Sequence, residues 1–508
     1  MTIFVLGNQL TCQHGPVAHS PDERILLIES ENFARRLPYH PHKLTLIFGA
    51  MRAYRDALRN AGREVVYITA SSFADGLAQY FEQFPGDELV LMEPASAGAK
   101  ERFRELIESE SGSLHIVENE LFLCSREEFS EWADSRSQPY RQEQFYRFMR
   151  RKTGYLMKNG EPVGGDWNYD EKNREVPSDE YEPPAPPAYE PDEQTAAVKQ
   201  WVHDEFSGGY DSKPYGGDWA DPDDFFWPIT RKQAVDALEQ FVKNRLAAFG
   251  PYQDAMLQDE WAMHHSLLST SLNIGLLHPT EVIEAVIAEY ESNPDVPLHS
   301  AEGFVRQVLG WREFLRGVYM ETMPDLATAN QLGASANLPD WYWTGDTEMA
   351  CLSDVIDGVR TRGYSHHIER LMVLSNFALI YGVEPAQLNR WFHAAYVDAF
   401  HWVTTPNVIE MGLYGAGAFA TKPYASSANY IDKMSDYCGD CQYEKNKTTG
   451  PDACPFNALY WDFLARNEET LRSNHRMGLM YSHVDKKDLD AIEQRVTDIR
   501  KQSEAGTL

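Results

Sequence analysis

The most informative stretch of the sequence is SDYCGDCQYEKNKTTGPDACPFNALYWDF, residues 435–463. Its three cysteines, Cys438, Cys441 and Cys454, form a C-x2-C pair followed by a C-P dipeptide. Together with the isolated Cys351 they provide four thiolates, enough to close a zinc or an iron–sulfur site. Only one close pair is present and a proline follows the third cysteine, so the spacing favours a 4Fe-4S cluster over structural zinc, which stays the alternative. These four cysteines are the predicted metal ligands.

Length and composition place the chain among globular proteins. Its 508 residues are enough for two or three domains, and 43% of them are apolar. No apolar run reaches the roughly 18 residues that a membrane span requires. The opening MTIFVLGNQL lacks a basic leader with a cleavage site. We therefore expect a cytoplasmic, monomeric protein that does not bind membranes.

The net charge of −31, from 77 acidic and 46 basic residues, opposes general binding of nucleic acid. The acidic excess is concentrated between Asp166 and Asp224, where the proline-rich VPSDEYEPPAPPAYEPDEQ is typical of a solvated linker. Just before it lies a basic, aromatic segment, RQEQFYRFMRRK, residues 141–152. It could grip a phosphate backbone or be an ordinary solvated helix face. Its predicted DNA contacts are Arg150, Arg151 and Lys152.

The first 135 residues alternate between short apolar runs and helical stretches. The runs predict buried parallel strands at Thr2–Leu6, Arg24–Ile28, Val65–Thr69, Glu88–Met92 and His115–Val117. Helices are predicted over Met51–Asn60 and Lys100–Ser109. Strands that alternate with helices indicate a doubly wound α/β domain of the Rossmann or flavodoxin type. No G-x-G-x-x-G is present, so no dinucleotide is assigned to it.

From about Pro228 onward the strand signal gives way to helical spacing. Helices are predicted over Glu302–Tyr319, Ser365–Ile380, Glu384–Phe400 and Ala458–Leu471. The sequence thus divides into an α/β domain (1–135), a linker with its basic and acidic segments (136–228) and a large all-helical domain (229–508). The helical domain contains all four candidate cluster cysteines.

Several motifs of the helical domain resemble the photolyase/cryptochrome family. Residues 265–279, HSLLSTSLNIGLLHP, are similar to its signature TSxLSPxLxxGxLSP, and the W-R-E/D-F motif follows at Trp311–Phe314. The segment SHHIERLMVLSNF, residues 365–377, resembles the histidine-containing helix beside the flavin, and Tyr430-Ile431 resembles a C-terminal Y-I element. With the four cysteines, the resemblance narrows to the iron–sulfur bacterial cryptochromes and photolyases, the prokaryotic (6-4) photolyases. It runs nearly end to end.

The resemblance implies a bent FAD bound in the helical domain. Small hydroxyls near a helix start suit its pyrophosphate, because backbone N–H groups and the helix dipole attract phosphate. Arg312 would add a cation, and Asn407 would face the flavin N5. The full set of implied FAD contacts is His265, Ser266, Leu267, Leu268, Ser269, Gln307, Trp311, Arg312, Asp398 and Asn407.

The implied reaction is light-driven repair of (6-4) photoproducts in UV-damaged DNA. Excited reduced FAD passes an electron to the lesion and later recovers it, so the hard chemistry belongs to the cofactor. His367 matches the histidine that donates the proton, with His366 beside it, and a histidine can act as an acid near neutral pH. Tyr424 and Tyr430 match positions that line the lesion pocket. A satisfied core histidine is the alternative for His367.

The resemblance also implies an aromatic relay that reduces the flavin. Trp391 matches its flavin-proximal tryptophan and Trp343 its surface-exposed end. The position between them is Phe392, which is hard to oxidise. The electron therefore bypasses it or passes through Trp402 or Tyr396.

A second chromophore, 6,7-dimethyl-8-ribityllumazine, is implied for the α/β domain. The opening Gly7, Asn8, Gln9 and Leu10 and the later Ile47 fit the family pattern. Phe33 and Ile28 depart from it, because the family has a glutamate and a cysteine there. An Mg2+ ion that assists DNA binding is a further candidate cofactor.

Two other functions remain open. The chain could be a blue-light photoreceptor of the same subfamily without repair activity. It could also be a dark nucleic-acid-binding protein with a structural cluster, since a helical iron–sulfur domain resembles that of primase large subunits. Flavin absorption bands would exclude the second of these.

Overall fold

The computed structural model of the chain describes residues 1–178, 181–206 and 219–508. Two parts of the predicted linker, residues 179–180 and 207–218, lie outside the described residues. The predicted boundaries at residues 135 and 228 stay predictions.

A five-stranded parallel sheet forms the amino-terminal part. Its strands are β1 (Thr2–Val5), β2 (Arg24–Ser30), β3 (Val65–Ala70), β4 (Glu88–Met92) and β5 (Ser113–Val117), in the order β3-β2-β1-β4-β5. All five predicted strands are confirmed. The three central strands β1, β2 and β4 are buried almost throughout, as a parallel sheet covered on both faces requires, whereas the edge strands β3 and β5 are only partly buried. The strand order reverses between β1 and β4, so a crevice is expected outside their carboxyl ends.

Six helices accompany this sheet: α1 (Gly15–His19), α2 (Glu31–Ala34), α3 (Pro41–Asn60), α4 (Phe73–Gln83), α5 (Ala99–Ser109) and α6 (Arg126–Asp134). The predicted helix at Met51–Asn60 is only the second half of α3. The first half, residues 41–50, is buried all round and therefore lacks the polar face that gives a helix its recognisable period.

The linker region contains more regular structure than its composition indicates. It comprises α7 (Gln142–Thr153), the antiparallel pair β6 (Met157–Lys158) and β7 (Glu161–Pro162), a 3-10 turn at Asp170–Lys172 and α8 (Glu193–Phe206). Helix α8 packs along α3 of the α/β part, so this segment is docked on the sheet layer.

The carboxyl-terminal part is helical, as predicted, and its described residues contain no strand. Its helices are α9 (Arg231–Asn244), α10 (Leu246–Phe249), α11 (Ser269–Ile274), α12 (Pro279–Ser292), α13 (Leu298–Val305), α14 (Glu313–Thr322), α15 (Trp341–Thr344), α16 (Ala350–Arg362), α17 (Asn376–Tyr381), α18 (Pro385–Ala395), α19 (His401–Thr405), α20 (Ala428–Met434), α21 (Pro455–Arg466), α22 (Glu468–Leu471), α23 (Gly478–Val484) and α24 (Leu489–Glu504), with a 3-10 turn at Asp325–Thr328.

Three seven-residue π-helical segments interrupt these helices: π1 (Arg306–Arg312), π2 (Glu369–Ser375) and π3 (Pro406–Gly412). The predicted helix Glu302–Tyr319 is therefore α13, π1 and α14 in succession, and Ser365–Ile380 is mainly π2 and α17. Periodicity at 3.6 residues does not reveal this change of pitch. π-Helical turns occur frequently at functional sites, and π1 and π3 carry four of the implied FAD contacts.

The α/β and helical parts share one hydrophobic core, which includes Ile3 and Val5 of β1 and Phe304 and Phe314 of the helical part. The backbone joins them as well, because Leu10 N donates to Ile274 O at 2.8 Å. A second core surrounds Cys351. Within the described residues, no helix has both the length and the apolar character needed to cross a bilayer.

Candidate functional site

Three histidines from two segments meet at one point. His265, His366 and His367 each bring a ring nitrogen, and these nitrogens lie within 4.8 Å of one another. The rings of His265 and His366 are stacked, with centroids 4.5 Å apart, and both side chains are buried. The His367 ring meets that of His265 edge-on and is 46% exposed. The result is one accessible imidazole supported by a buried pair.

A buried carboxylate holds this histidine platform. The His366 backbone N–H donates to Glu369 Oε2 at 3.0 Å, and His366 Nε2 lies 3.1 Å from Oε1. Burial first, and the neighbouring imidazoles second, push the pKa of His265 well below its usual value. His265 is therefore neutral at working pH and cannot serve as an acid.

Asp254 faces the exposed histidine, and sequence reasoning missed it. Its Oδ1 lies 3.7 Å from His367 Nε2. Burial and then the Asp254 charge raise the pKa of Tyr430. Tyr424, 37% exposed, also has its pKa raised by burial, and the charges of Asp170 and Arg174 act on the pKa of both tyrosines. The structure thus brings the four predicted catalytic residues to one region, with Asp254 among them.

The predicted pyrophosphate loop leads into α11. Leu267 has a φ of 59°, a left-handed conformation that a branched side chain rarely adopts. Helix α11 begins at Ser269 without a side-chain cap on its first N–H groups. The hydroxyls of Thr270 and Ser271 are buried with no hydrogen-bond partner. Uncapped N–H groups and orphaned hydroxyls are features that an anionic ligand satisfies.

Asp398 joins this loop to the segment that carries the histidines. Its Oδ2 accepts a hydrogen bond from Ser269 Oγ at 2.7 Å. Arg370 of π2 binds the same carboxylate through both terminal nitrogens, at 3.0 and 3.1 Å. Asn273 Nδ2 donates to the Asp398 carbonyl at 2.9 Å. Arg370 was not predicted, although it lies within the SHHIER motif.

The other implied FAD contacts lie on π1 and π3. Gln307 donates to Gly303 O at 3.3 Å, and Asn407 donates to Val403 O at 2.9 Å, one turn back in each case. Trp311 is partly exposed.

Arg312 makes its contacts at the boundary with the α/β part. It pairs with Glu313 at 2.8 Å, and its guanidinium lies over the rings of Phe122 and Trp402, 4.3 and 5.2 Å from their centroids. Its predicted contact with FAD stays a prediction.

The predicted relay tryptophans are in contact, and a third extends the row. Trp391 is fully buried and its Nε1 donates to Tyr342 O at 3.0 Å. Its ring centroid lies 6.4 Å from that of Trp343, which in turn lies 5.1 Å from that of Trp219. Trp343 is only 9% exposed, so its prediction as the surface-exposed end is wrong. Trp219 lies in the linker, where no periodic pattern pointed to it.

The two replacements considered for Phe392 have different surroundings. Tyr396 stacks on Phe392 at 5.0 Å and lies 5.9 Å from Trp391. Trp402 packs against Phe122 instead, in a separate cluster. Because Trp391 and Trp343 touch directly, an electron between them does not need Phe392.

The four predicted metal-binding cysteines line one cavity. Burial is the main cause that raises the pKa of Cys438 to about 11 and that of Cys454 to about 12. The four thiols also act on one another, because the charges of Cys454, Cys441 and Cys438 add to burial in raising the pKa of Cys351. Structural zinc and a 4Fe-4S cluster both take four thiolates, so the occupant of the cavity stays a prediction.

Comparisons with known proteins show the family of this chain. A family model described as deoxyribodipyrimidine photo-lyase-related protein matches residues 3–219. A (6-4) photolyase from Agrobacterium fabrum is 38% identical over 489 residues, which cover 94% of this chain and 94% of that protein. This chain belongs to the (6-4) photolyases of the photolyase/cryptochrome family.

Solved structures show the same fold at low identity. A bacterial class III photolyase from Agrobacterium tumefaciens matches with a TM-score of 0.57 and 16% identity over 96% of this chain and 98% of that one. A cryptochrome from Synechocystis matches with a TM-score of 0.57 and 13% identity, over 85% of this chain and 88% of that one. The parallel sheet followed by a large helical part is thus the photolyase/cryptochrome fold.

The cations predicted to bind DNA in this photolyase family member are mostly engaged elsewhere. Arg150 is fully buried and donates to Trp167 O at 3.0 Å, so its prediction as a surface phosphate contact is wrong. Lys152 donates to Leu123 O at 2.9 Å and pairs with Glu128. Arg151 is exposed and lies over the Trp167 ring. The sequence of this basic segment does not show which of its cationic side chains are buried.

The predicted antenna residues follow β1 at the carboxyl edge of the sheet. A Cβ on Gly7 would lie 2.9 Å from Met51 Sδ and 3.2 Å from Ile47, so the chain packs tightly there. Gln9 donates to Met92 O at 2.8 Å. Asn8 lies beside Gly7, and Leu10 bonds to the helical part as described. The lumazine antenna and the Mg2+ ion of this photolyase stay predictions.

We expect Asp354 beside the cysteine cavity to make stability depend on pH. Burial raises the pKa of Asp354 to about 6, and Tyr437 donates to its Oδ2 at 3.0 Å. Since the folded state binds this proton more tightly than the unfolded state, stability falls as pH rises from about 4 to above 6. Asp354→Asn should raise the thermal midpoint by a few degrees near pH 8, and by less near pH 5.

Circular dichroism during heating measures this difference. Asp357→Asn, at an exposed position of the same helix, is the matched control and should show no pH-dependent gain. An equal gain for Asp354→Asn at both pH values would contradict the assignment.

Proposed function

We propose that this protein repairs (6-4) photoproducts in UV-damaged DNA by light-driven electron transfer from FAD. The near full-length similarity to a (6-4) photolyase supports this reaction. One observation supports assigning this reaction to specific residues: His367 is accessible and packs on a buried histidine pair. Asp254 lies 3.7 Å from His367, and Tyr430 lies beside Asp254. A proton donor of this kind must be reachable by substrate and fixed in position.

The residues around α11 fit the cofactor. The uncapped helix start and the orphaned hydroxyls of Thr270 and Ser271 suit its pyrophosphate, with Ser266 and Ser269 in the same loop. Asp398 fixes the loop through Ser269. When bound in reduced form, FAD supplies the light-excited electron that the repair needs.

His367 is the proposed proton donor at its Nε2 atom. Of the three histidines it alone is exposed, and the depressed pKa of His265 excludes that ring as an acid. Asp254 Oδ1 lies 3.7 Å from His367 Nε2, so a carboxylate lies beside the proposed donor. His366 holds the stack through Glu369. Tyr424 and Tyr430 line the entrance.

The row of Trp391, Trp343 and Trp219 is the proposed electron supply. Successive edge-on contacts at 6.4 and 5.1 Å support a path through these three indoles. Phe392 lies to one side of it, stacked on Tyr396.

A 4Fe-4S cluster is the proposed occupant of the cysteine cavity. All four cysteines line this one cavity, and the single C-x2-C pair with a proline after the third cysteine supports a cluster over a single zinc ion. Cys351 comes from α16 and Cys454 precedes α21, so the cluster would tie two helices to the turn that carries Cys438 and Cys441.

His367→Ala should lower repair by about 10²–10⁴-fold, because general acid catalysis contributes that much. Asp254→Asn should cause a smaller loss, since the donor stays but loses its charged partner. Product chromatography after illumination of reduced protein with an oligonucleotide containing one (6-4) lesion measures both. His19→Ala, an exposed histidine of the α/β part, is the control. Unchanged repair in His367→Ala would refute the role, and wild-type protein with FAD but no repair would favour the photoreceptor.

Trp391→Phe should slow photoreduction of the bound flavin most, and Trp219→Phe should slow it less, because Trp219 lies farthest along the row. Loss of the oxidised-flavin absorption under blue light with an external thiol gives the rate. Trp201→Phe is the control, because Trp201 packs on Phe48 in the α/β part. Equal rates in Trp391→Phe and wild type would mean that electrons enter elsewhere.

Cys438→Ser should remove the cluster and destabilise the carboxyl-terminal part, because metal binding is coupled to folding. Iron content, the visible spectrum and the thermal midpoint of the purified protein test this. Cys124→Ser, a buried cysteine outside the cavity, is the matched control. A variant that keeps wild-type stability without iron would show that the cluster is not structural.

A further inference from the structure

A turn before α23 is fixed against the segment that carries Tyr424. Asn474 Nδ2 donates to Thr421 O at 2.9 Å, and Arg476 Nη1 donates to Thr421 Oγ1 at 2.6 Å. Met477 is buried and packs in the second hydrophobic core, which holds the turn in place. The two hydrogen bonds hold the turn against Thr421, three residues before Tyr424. The exposed Arg476 of the turn, Leu479 at the start of α23 and the half-buried Lys422 are called the rim surface below.

Two cations of the rim surface have no acidic partner within the described residues. Arg476 and Lys422 are close enough that, after burial, the Arg476 charge lowers the pKa of Lys422, and it also acts on the pKa of Tyr424. The nearby Arg472, by contrast, pairs with Asp485 and Glu468. The chain has a net charge of −31, so two neighbouring cations without acidic partners form a local positive surface that favours binding of an anion.

Leu479 lies in the first turn of α23, directly after this turn, and is exposed to solvent. It is 82% exposed, the highest value among the large exposed apolar residues of the described chain. A leucine flanked by cations is the combination with which proteins enter an opened DNA duplex: the cations bind phosphates and the apolar side chain fills space between bases.

We propose that the rim surface binds the DNA duplex beside the lesion. Lys422 and Arg476 contact backbone phosphates, and Leu479 fills the gap left in the stack when the damaged bases leave it. This inference rests on the proposed function, because repair at His367 requires the lesion to leave the duplex near Tyr424. It assigns DNA binding to cations outside the basic segment at 141–152, in which Arg150 and Lys152 donate to backbone oxygens.

Binding to fluorescent duplexes in the dark separates the two kinds of contact. Fluorescence anisotropy is measured with one duplex that contains a (6-4) lesion and one that does not, between about 50 and 200 mM salt. Lys422→Ala and Arg476→Ala should weaken binding to both duplexes, and each should reduce the slope of log K against log salt by about 0.9. Lys232→Ala, an exposed lysine of α9, is the control.

Leu479→Ala should behave differently. We expect it to reduce the preference for the damaged duplex by about fivefold, the effect of one or two buried methylene groups, with an unchanged salt slope. Leu489→Ala, where the leucine is 41% exposed, is the control. A 2-aminopurine placed opposite the lesion should be less bright in the Leu479→Ala complex, because the base is less unstacked.

The outcomes distinguish this inference from the proposed function. Wild-type affinity, salt slope and lesion preference in all three rim variants would overturn the rim surface even if repair is normal. Lesion binding without repair by the wild-type protein would overturn the repair function and leave the rim surface standing. Loss of binding to anionic lipid vesicles, with DNA binding intact, would reassign the surface to membranes. Unchanged thermal midpoints show that the variants are folded.

Discussion

The carboxylate of Asp398 is the constraint on which the site depends. It accepts hydrogen bonds from Ser269, where the predicted pyrophosphate loop enters α11, and from both terminal nitrogens of Arg370. Loop and histidine segment are far apart in sequence, and this buried carboxylate sets their spacing. Breaking a buried pair by removing one partner typically costs about 3–5 kcal/mol, because it leaves an uncompensated charge. A bidentate arginine also fixes direction, which a lysine would not.

Glu369, the residue before Arg370, links π2 to the histidines and to the cysteine cavity. It holds His366, and its Oε1 lies 3.3 Å from the hydroxyl of Tyr437, which precedes Cys438. Two adjacent residues of π2 thus connect the histidines with the loop and with the cysteine cavity. A π-helical turn changes the angle between successive side chains, which allows neighbours to serve different partners. Loss of order around the cysteines would therefore change the position of the histidines indirectly, through Tyr437 and Glu369.

The sequence was a good guide where the physical signal is local. The five strands are short apolar runs, and the C-x2-C pair needs only neighbouring residues to be noticed. Prediction from the sequence failed where the position of a residue depends on tertiary contacts. The first half of α3 is buried all round, Arg150 points inward from a basic run, and Trp343 is covered by Trp219. Asp254 and Trp219 lie in irregular segments, so only the tertiary structure brings them to the site.

The acidity of the chain and its binding of DNA are compatible because of screening. At 0.1 M salt the Debye length is about 10 Å, so acidic side chains far from the pocket contribute little to the field at a phosphate. The local charge balance around Tyr424 then decides. Among the described residues, Arg476 and Lys422 have no acidic partner there, while Asp170 is paired with Arg306. At low salt the acidic envelope acts over a longer range and opposes the approach of DNA. When the salt concentration is lowered, the affinity of the protein for DNA should therefore rise less steeply than the number of phosphate contacts alone implies.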